Sequence, residues 1–79
     1  MAKLVFLGKL ADLAGAGERE VAGPLDWAGL LAELEPELAA AAKGEKVRLA
    51  VNGTLLANKA ALAAAPDDEI ALLPPVSGG

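Results

Sequence analysis

Two segments of this 79-residue chain are apolar on both faces, and they stand near its two ends. Lys3-Leu-Val-Phe-Leu-Gly8 opens the sequence, and Glu69-Ile-Ala-Leu-Leu73 comes shortly before its end. A strand with one wet face alternates apolar and polar residues, whereas one apolar at both parities belongs inside a sheet. Both segments therefore claim central places in one small sheet, and what lies between must extend that sheet and cover it.

The cover is legible as a stripe. Trp27, Leu30, Leu31, Leu34 and Leu38 recur at helical spacing behind Asp26, a good N-cap. Pro36 cannot donate to the helical ladder, so a break is expected there, with Pro36 restarting a short piece that Gly44 ends. Lys9 to Gly17, with Leu10, Leu13 and Ala14 on one side, reads as a helical turn and loop. Glu18 to Ala22, built around Val21, reads as an edge strand. Val47, Leu49 and Val51 alternate with Arg48, Ala50 and Asn52 in a half-buried strand; Asn52-Gly53 marks a tight hairpin, with Thr54 to Ala57 pairing back. Ala60 to Ala65 fits one helical turn, and Pro66-Asp67-Asp68 a turn before the last strand.

The order β-β-α-β-β-β and the right-handed crossover rule predict an α+β domain of the ubiquitin-like β-grasp type. Its mixed sheet has about five strands, with one main helix packed on one face. Residues 1–79 fit a single domain with a tail at 74–79. Strand alternation gives the central strands two faces. If Leu4, Phe6, Ile70 and Leu72 face the helix, then Val5, Leu7, Ala71 and Leu73 face outward. Leu7, Leu55 and Leu73 are then expected to form an apolar partner surface.

Composition removes most chemistry. Cysteine and histidine are absent, which excludes disulfides, thiol nucleophiles, the commonest metal ligands and the usual proton shuttle at neutral pH. Asp67-Asp68-Glu69 resembles a cation site only superficially, because adjacent carboxylates on a strand diverge, so no metal site is expected. The formal charge of -4 argues against nucleic acid as partner. The lack of a signal-type segment or a bilayer-length apolar run makes a cytoplasmic protein with no membrane contact the expectation. The 54% apolar content includes much alanine, so the core must rest on Leu, Val, Ile, Phe6 and Trp27.

What remains is the end of the chain. Pro74 and Pro75 favour an extended backbone, and after Val76 and Ser77 two glycines without Cβ make a thread thin enough for a narrow channel. Such a thread can present the Gly79 carboxylate to another enzyme. A glycine-rich end can equally be an inert terminus, a reading that the proline pair and the apolar strand before it disfavour.

The span from Val51-Asn52-Gly53 through Asp-Glu-Ile to Pro-Pro-Val-Ser-Gly-Gly resembles the small subunit of molybdopterin synthase, a ubiquitin-like sulfur carrier. The resemblance implies that a ubiquitin-activating-like adenylyltransferase uses ATP to adenylate the Gly79 carboxylate, and that a sulfur donor enzyme converts it to a thiocarboxylate. Pro74, Pro75, Val76, Ser77 and Gly78 would thread into the large synthase subunit, in a heterotetramer of two small and two large subunits. Sulfur would there pass to cyclic pyranopterin monophosphate. The chain itself would bind no cofactor and act as a carrier, with the active site on the large subunit. A carrier for thiamine thiazole synthesis, tRNA thiolation or protein conjugation would use Gly79 identically. The long Lys9 to Gly17 segment and the proline pair favour the first pathway over the thiazole carriers. An inert β-grasp interaction module is the reading from a different class.

Overall fold

The computed structural model describes residues 1–75, and it begins with strand β1 (Ala2–Phe6). Gly8, at a φ of 55°, turns the chain out of β1 into helix α1 (Lys9–Ala14), a left-handed conformation that a Cβ would oppose. Strand β2 (Glu18–Val21) returns along β1, and β3 (Leu25–Asp26) leads into α2 (Trp27–Ala32). Asp26 Oδ1 accepts from the Gly29 N–H at 2.7 Å and so satisfies an orphan donor of the first turn. Pro36 then starts α3 (Pro36–Ala42), where its missing N–H costs nothing. Strands β4 (Arg48–Val51) and β5 (Thr54–Leu55) form a hairpin; a 3₁₀ turn over Lys59–Ala61, β6 (Ala63–Ala64) and β7 (Glu69–Leu73) follow.

The five-stranded sheet has the order β2-β1-β7-β4-β5. The doubly apolar segments lie side by side in parallel, Leu4 beside Ile70 and Phe6 beside Leu72, while β2 and β4 flank them antiparallel. Leu4, Phe6, Ile70 and Leu72 are all buried against the helices, with Leu30, Leu38 and Leu49 fully enclosed among them. The helical layer covers one sheet face only, so the outward parity of β1 and β7 remains available.

Two polar clusters hold the elements in place. Asn52 and Gly53 turn the β4–β5 hairpin with φ of 51° and 85°, a conformation that Asn tolerates and Gly prefers. The Asn52 amide also donates to Asp68 Oδ1 at 3.0 Å and accepts from the Glu69 N–H at 2.9 Å, which ties the hairpin to the start of β7. On the opposite side of the sheet, the Arg19 guanidinium donates to both oxygens of Glu35 at 3.1 and 3.0 Å and to the Glu33 carbonyl at 2.9 Å. It fastens β2 to the break between α2 and α3.

The structure departs from the sequence expectations in three places. The stripe divides at Pro36 as expected; the departure in the cover is that the Lys9 segment also closes into a full helix, so three short helices stand where one main helix was expected. The expected return strand over 54–57 is confined to β5 at Thr54–Leu55, which pairs with Val51 and Ala50, and the Leu56 N–H still reaches the Leu49 carbonyl at 2.8 Å. The helical turn expected over 60–65 is replaced by the 3₁₀ turn and by β6, which pairs antiparallel with β3 in a second, two-stranded sheet. Pairings of two alanines carry no periodic signal, so tertiary contact decides them. Trp27 packs on the core while staying half-buried, its ring lying 5.6 Å beneath the Lys59 ammonium.

Candidate functional site

The open sheet face is built by alternation. Residues in register across neighbouring strands share a face, so Val5, Ala71, Ala50 and Leu55 form one row running from β1 to β5. Leu73 and Arg48 form the next row toward the chain's end. One step beyond β1, Leu7 continues the alternation, and its N–H reaches the Leu72 carbonyl at 3.4 Å, which keeps it beside Leu73. Leu7 and Leu55 are 42% and 54% exposed and Leu73 is half-buried, so all three lie on the uncovered side. Leu7 and Leu73 adjoin; Leu55 sits at the sheet edge with β4 between it and β7. The far end of this face is charged, with Lys3 across from Glu69 and Glu20 and paired to Glu18 at 3.2 Å.

The base of the tail is fixed by its surroundings. Pro74 is half-buried, and its Cγ lies 3.2 Å from where a Cβ on Gly8 would stand. Pro75 is exposed. Val76, Ser77, Gly78 and Gly79, the remaining tail positions singled out from the sequence, lie outside the described residues. On the helix side of the prolines is a groove of about 410 Å³, walled by Leu10, Leu13, Ala41, Val47, Pro74 and Pro75. Sequence reasoning missed this groove, because α1, the turn after α3 and the tail meet only in three dimensions. It also gave no role to Arg48, although strand parity alone places Arg48 on the outward face.

Lys59 has an altered acidity. Its ammonium donates to the Ala42 and Gly44 carbonyls at 2.8 and 2.5 Å, closing the C-terminal end of α3. Loss of hydration, followed by repulsion from Arg48, holds its pKa below the usual lysine range. The three acidic neighbours at the start of β7 act separately. Asp67 pairs with the N-terminal amine at 3.3 Å, while Asp68 accepts from Asn52 and from the Ala65 N–H. Among the described residues no cluster of three or more potential metal ligands forms, and no helix is long and apolar enough to cross a membrane.

A mixed β2-β1-β7-β4-β5 sheet covered by helices on one side, with its central strand running out into a C-terminal tail, defines a ubiquitin-like β-grasp protein of the small sulfur-carrier type. Residues 4–79 match the ThiS family, and the chain belongs to it. No curated protein matches the chain. Among solved structures it resembles SAMP1 from Haloferax volcanii, with 28% identity, a TM-score of 0.71 and coverage of 99% of this chain and 98% of that one. It also has the fold of small archaeal modifier protein 1 from Methanosarcina acetivorans, at 24% identity, a TM-score of 0.74 and coverage of 99% and 95%. A candidate molybdopterin converting factor, subunit 1, from Pyrococcus furiosus shares that fold at 23% identity, a TM-score of 0.71 and coverage of 95% and 97%.

Proposed function

We propose that this chain is a sulfur carrier for molybdopterin synthesis, working through the carboxylate of Gly79. The observation that carries the reading is the placement of β7: the central strand, locked between β1 and β4, leads through Pro74 and Pro75 directly into Val-Ser-Gly-Gly. A rigid sheet thus holds the start of the segment whose terminal carboxylate this reading uses. The carboxylate attacks the α-phosphorus of ATP on an adenylating partner and releases pyrophosphate; sulfide-level sulfur delivered as HS− by the sulfur donor then attacks the acyl carbon and expels AMP, leaving a thiocarboxylate. Leu7, Leu55 and Leu73 dock the sheet face on the large synthase subunit and aim the thread, and sulfur passes there to cyclic pyranopterin monophosphate. The resemblance to a candidate molybdopterin converting factor subunit supports the architecture, and the proline pair supports the pathway.

The likeness to SAMP1 supports a second reading, in which the activated Gly79 is joined to an amine of another protein. Intact mass separates the two. After incubation with the adenylating enzyme, ATP and a sulfur donor, the chain is expected to gain the difference between a sulfur and an oxygen atom. Addition of the large subunit and cyclic pyranopterin monophosphate is expected to restore the original mass as the dithiolene forms. A chain that gains no mass would show that the tail is inert, and one that becomes amide-linked to protein without delivering sulfur would favour the modifier reading.

A further inference from the structure

The charges of this acidic chain are unevenly placed. Of its 7 Lys and Arg residues, five stand around the tail base: Lys9 and Lys46 on the groove rim, Lys43 at the end of α3, Arg48 across from Leu73, and Lys59 against the Gly44 carbonyl. The carboxylates close by are Glu45 on the rim and Asp12 one helical turn from Lys9. Acidic groups gather at the far end, where Asp67 and Asp68 precede β7, Glu69 begins it and Glu20 faces Lys3. Among the described residues, none of Lys9, Lys43, Lys46 and Arg48 forms an ion pair. The groove walls are apolar, and Leu13 on one of them is 43% exposed, a large hydrophobe with no cover of its own.

We propose that this groove is a second docking site, on the helix side of the tail, for a segment of the adenylating enzyme that presents an apolar side chain flanked by carboxylates. The inference rests on the carrier reading above and names the chemistry of its partner. An apolar wall flanked by Lys9 and Lys46, with Glu45 beside them, leaves a net positive rim on an acidic chain and matches an apolar anchor between acidic groups. The site also adjoins the thread. A partner that grips the open sheet face through Leu7 and Leu73 holds one side of the tail base; a partner that also fills the groove holds both, and so fixes the direction in which the terminus points. The adenylating enzyme is the occupant favoured here, because each pathway considered begins with it whereas the sulfur acceptors differ.

The test is ATP–pyrophosphate exchange by the adenylating enzyme of the source organism, with the full chain as substrate and two variants beside it. Lys9→Glu/Lys46→Glu reverses the two lysine charges, and Leu13→Ser removes the exposed wall; all three residues are exposed, so thermal melts are expected to match wild type. Each variant is expected to raise KM about tenfold with kcat retained, as for lost docking energy distant from the reacting carboxylate. Added salt is expected to raise KM for wild type and to lower it for the charge-reversed chain. An unchanged KM for either variant, with wild type turning over, overturns the groove while leaving the carrier reading intact. No exchange with wild type overturns both.

Discussion

Leu72 is fully buried and Leu73 is half-buried, because neighbouring side chains on a strand point to opposite faces of the sheet. The two residues therefore make opposite predictions. Leu72→Ala leaves a cavity between sheet and helices, and is expected to cost about 2–5 kcal/mol in chemical denaturation. Leu73→Glu is expected to melt within a few degrees of wild type, yet to weaken calorimetric binding to the large subunit by on the order of a few kcal/mol, since its carboxylate would be desolvated without a partner. A large fall in melting temperature for Leu73→Glu would show that the face is core. Gly78→Val adds bulk and stiffness to the thread, and is expected to block thiocarboxylate formation at little cost in stability. Wild-type rates in a mass-spectrometric time course would exclude a narrow channel.

At the scale of elements, the stability of the cover depends on how its short helices end. The α2 cap is a single hydrogen bond from Gly29 to Asp26, and Asp26→Ala is expected to cost about 1 kcal/mol in a denaturant titration. The end of α3 depends on a residue 15 positions away from Gly44, Lys59, whose ammonium takes the Ala42 carbonyl, one the helix leaves without a partner, and shares the Gly44 carbonyl with the Val47 N–H. Lys59→Met keeps a long unbranched side chain at this position and removes those donors. It is expected to destabilise by about 1–3 kcal/mol, the range for leaving such groups unpaired, and faster amide exchange at the end of α3 would locate the loss.

For the whole molecule, two of the long-range polar ties, Arg19 to Glu35 and Asn52 to Asp68, depend on carboxylates, and this shapes the response to acid. The Arg19 hydrogen bonds lower the pKa of Glu35, with its own backbone N–H assisting; the Asn52 amide, followed by the Ala65 N–H, lowers that of Asp68. A carboxyl whose pKa is lower folded than unfolded stabilises the fold above the unfolded value, and that stability fades as pH falls through the folded one. Stability is therefore expected to hold near neutrality and to decline below roughly pH 4, where free carboxyls titrate. Urea titrations at pH 7 and pH 3 measure the decline, and Glu35→Gln with Asp68→Asn is expected to flatten it. An undiminished pH dependence in that double variant would place the acid sensitivity elsewhere.

Patterns local in sequence determined much of this protein. The two apolar segments, the stripe broken at Pro36, the Asn52-Gly53 turn and the outward parity of Leu7 and Leu73 all follow from residue type at fixed spacing, because strand and helix periods and turn geometry act over a few residues. Tertiary structure alone decided what depends on elements far apart in the chain. The β3–β6 sheet pairs residues with no periodic signal, and Asn52 meets Asp68 across two turns that read separately in the sequence. Lys59 closes a helix it does not belong to, and the groove beside the tail exists because α1, the turn after α3 and Pro74-Pro75 converge on one end of the sheet. Such sites depend on the distance between elements once packed, a quantity that no local spacing encodes.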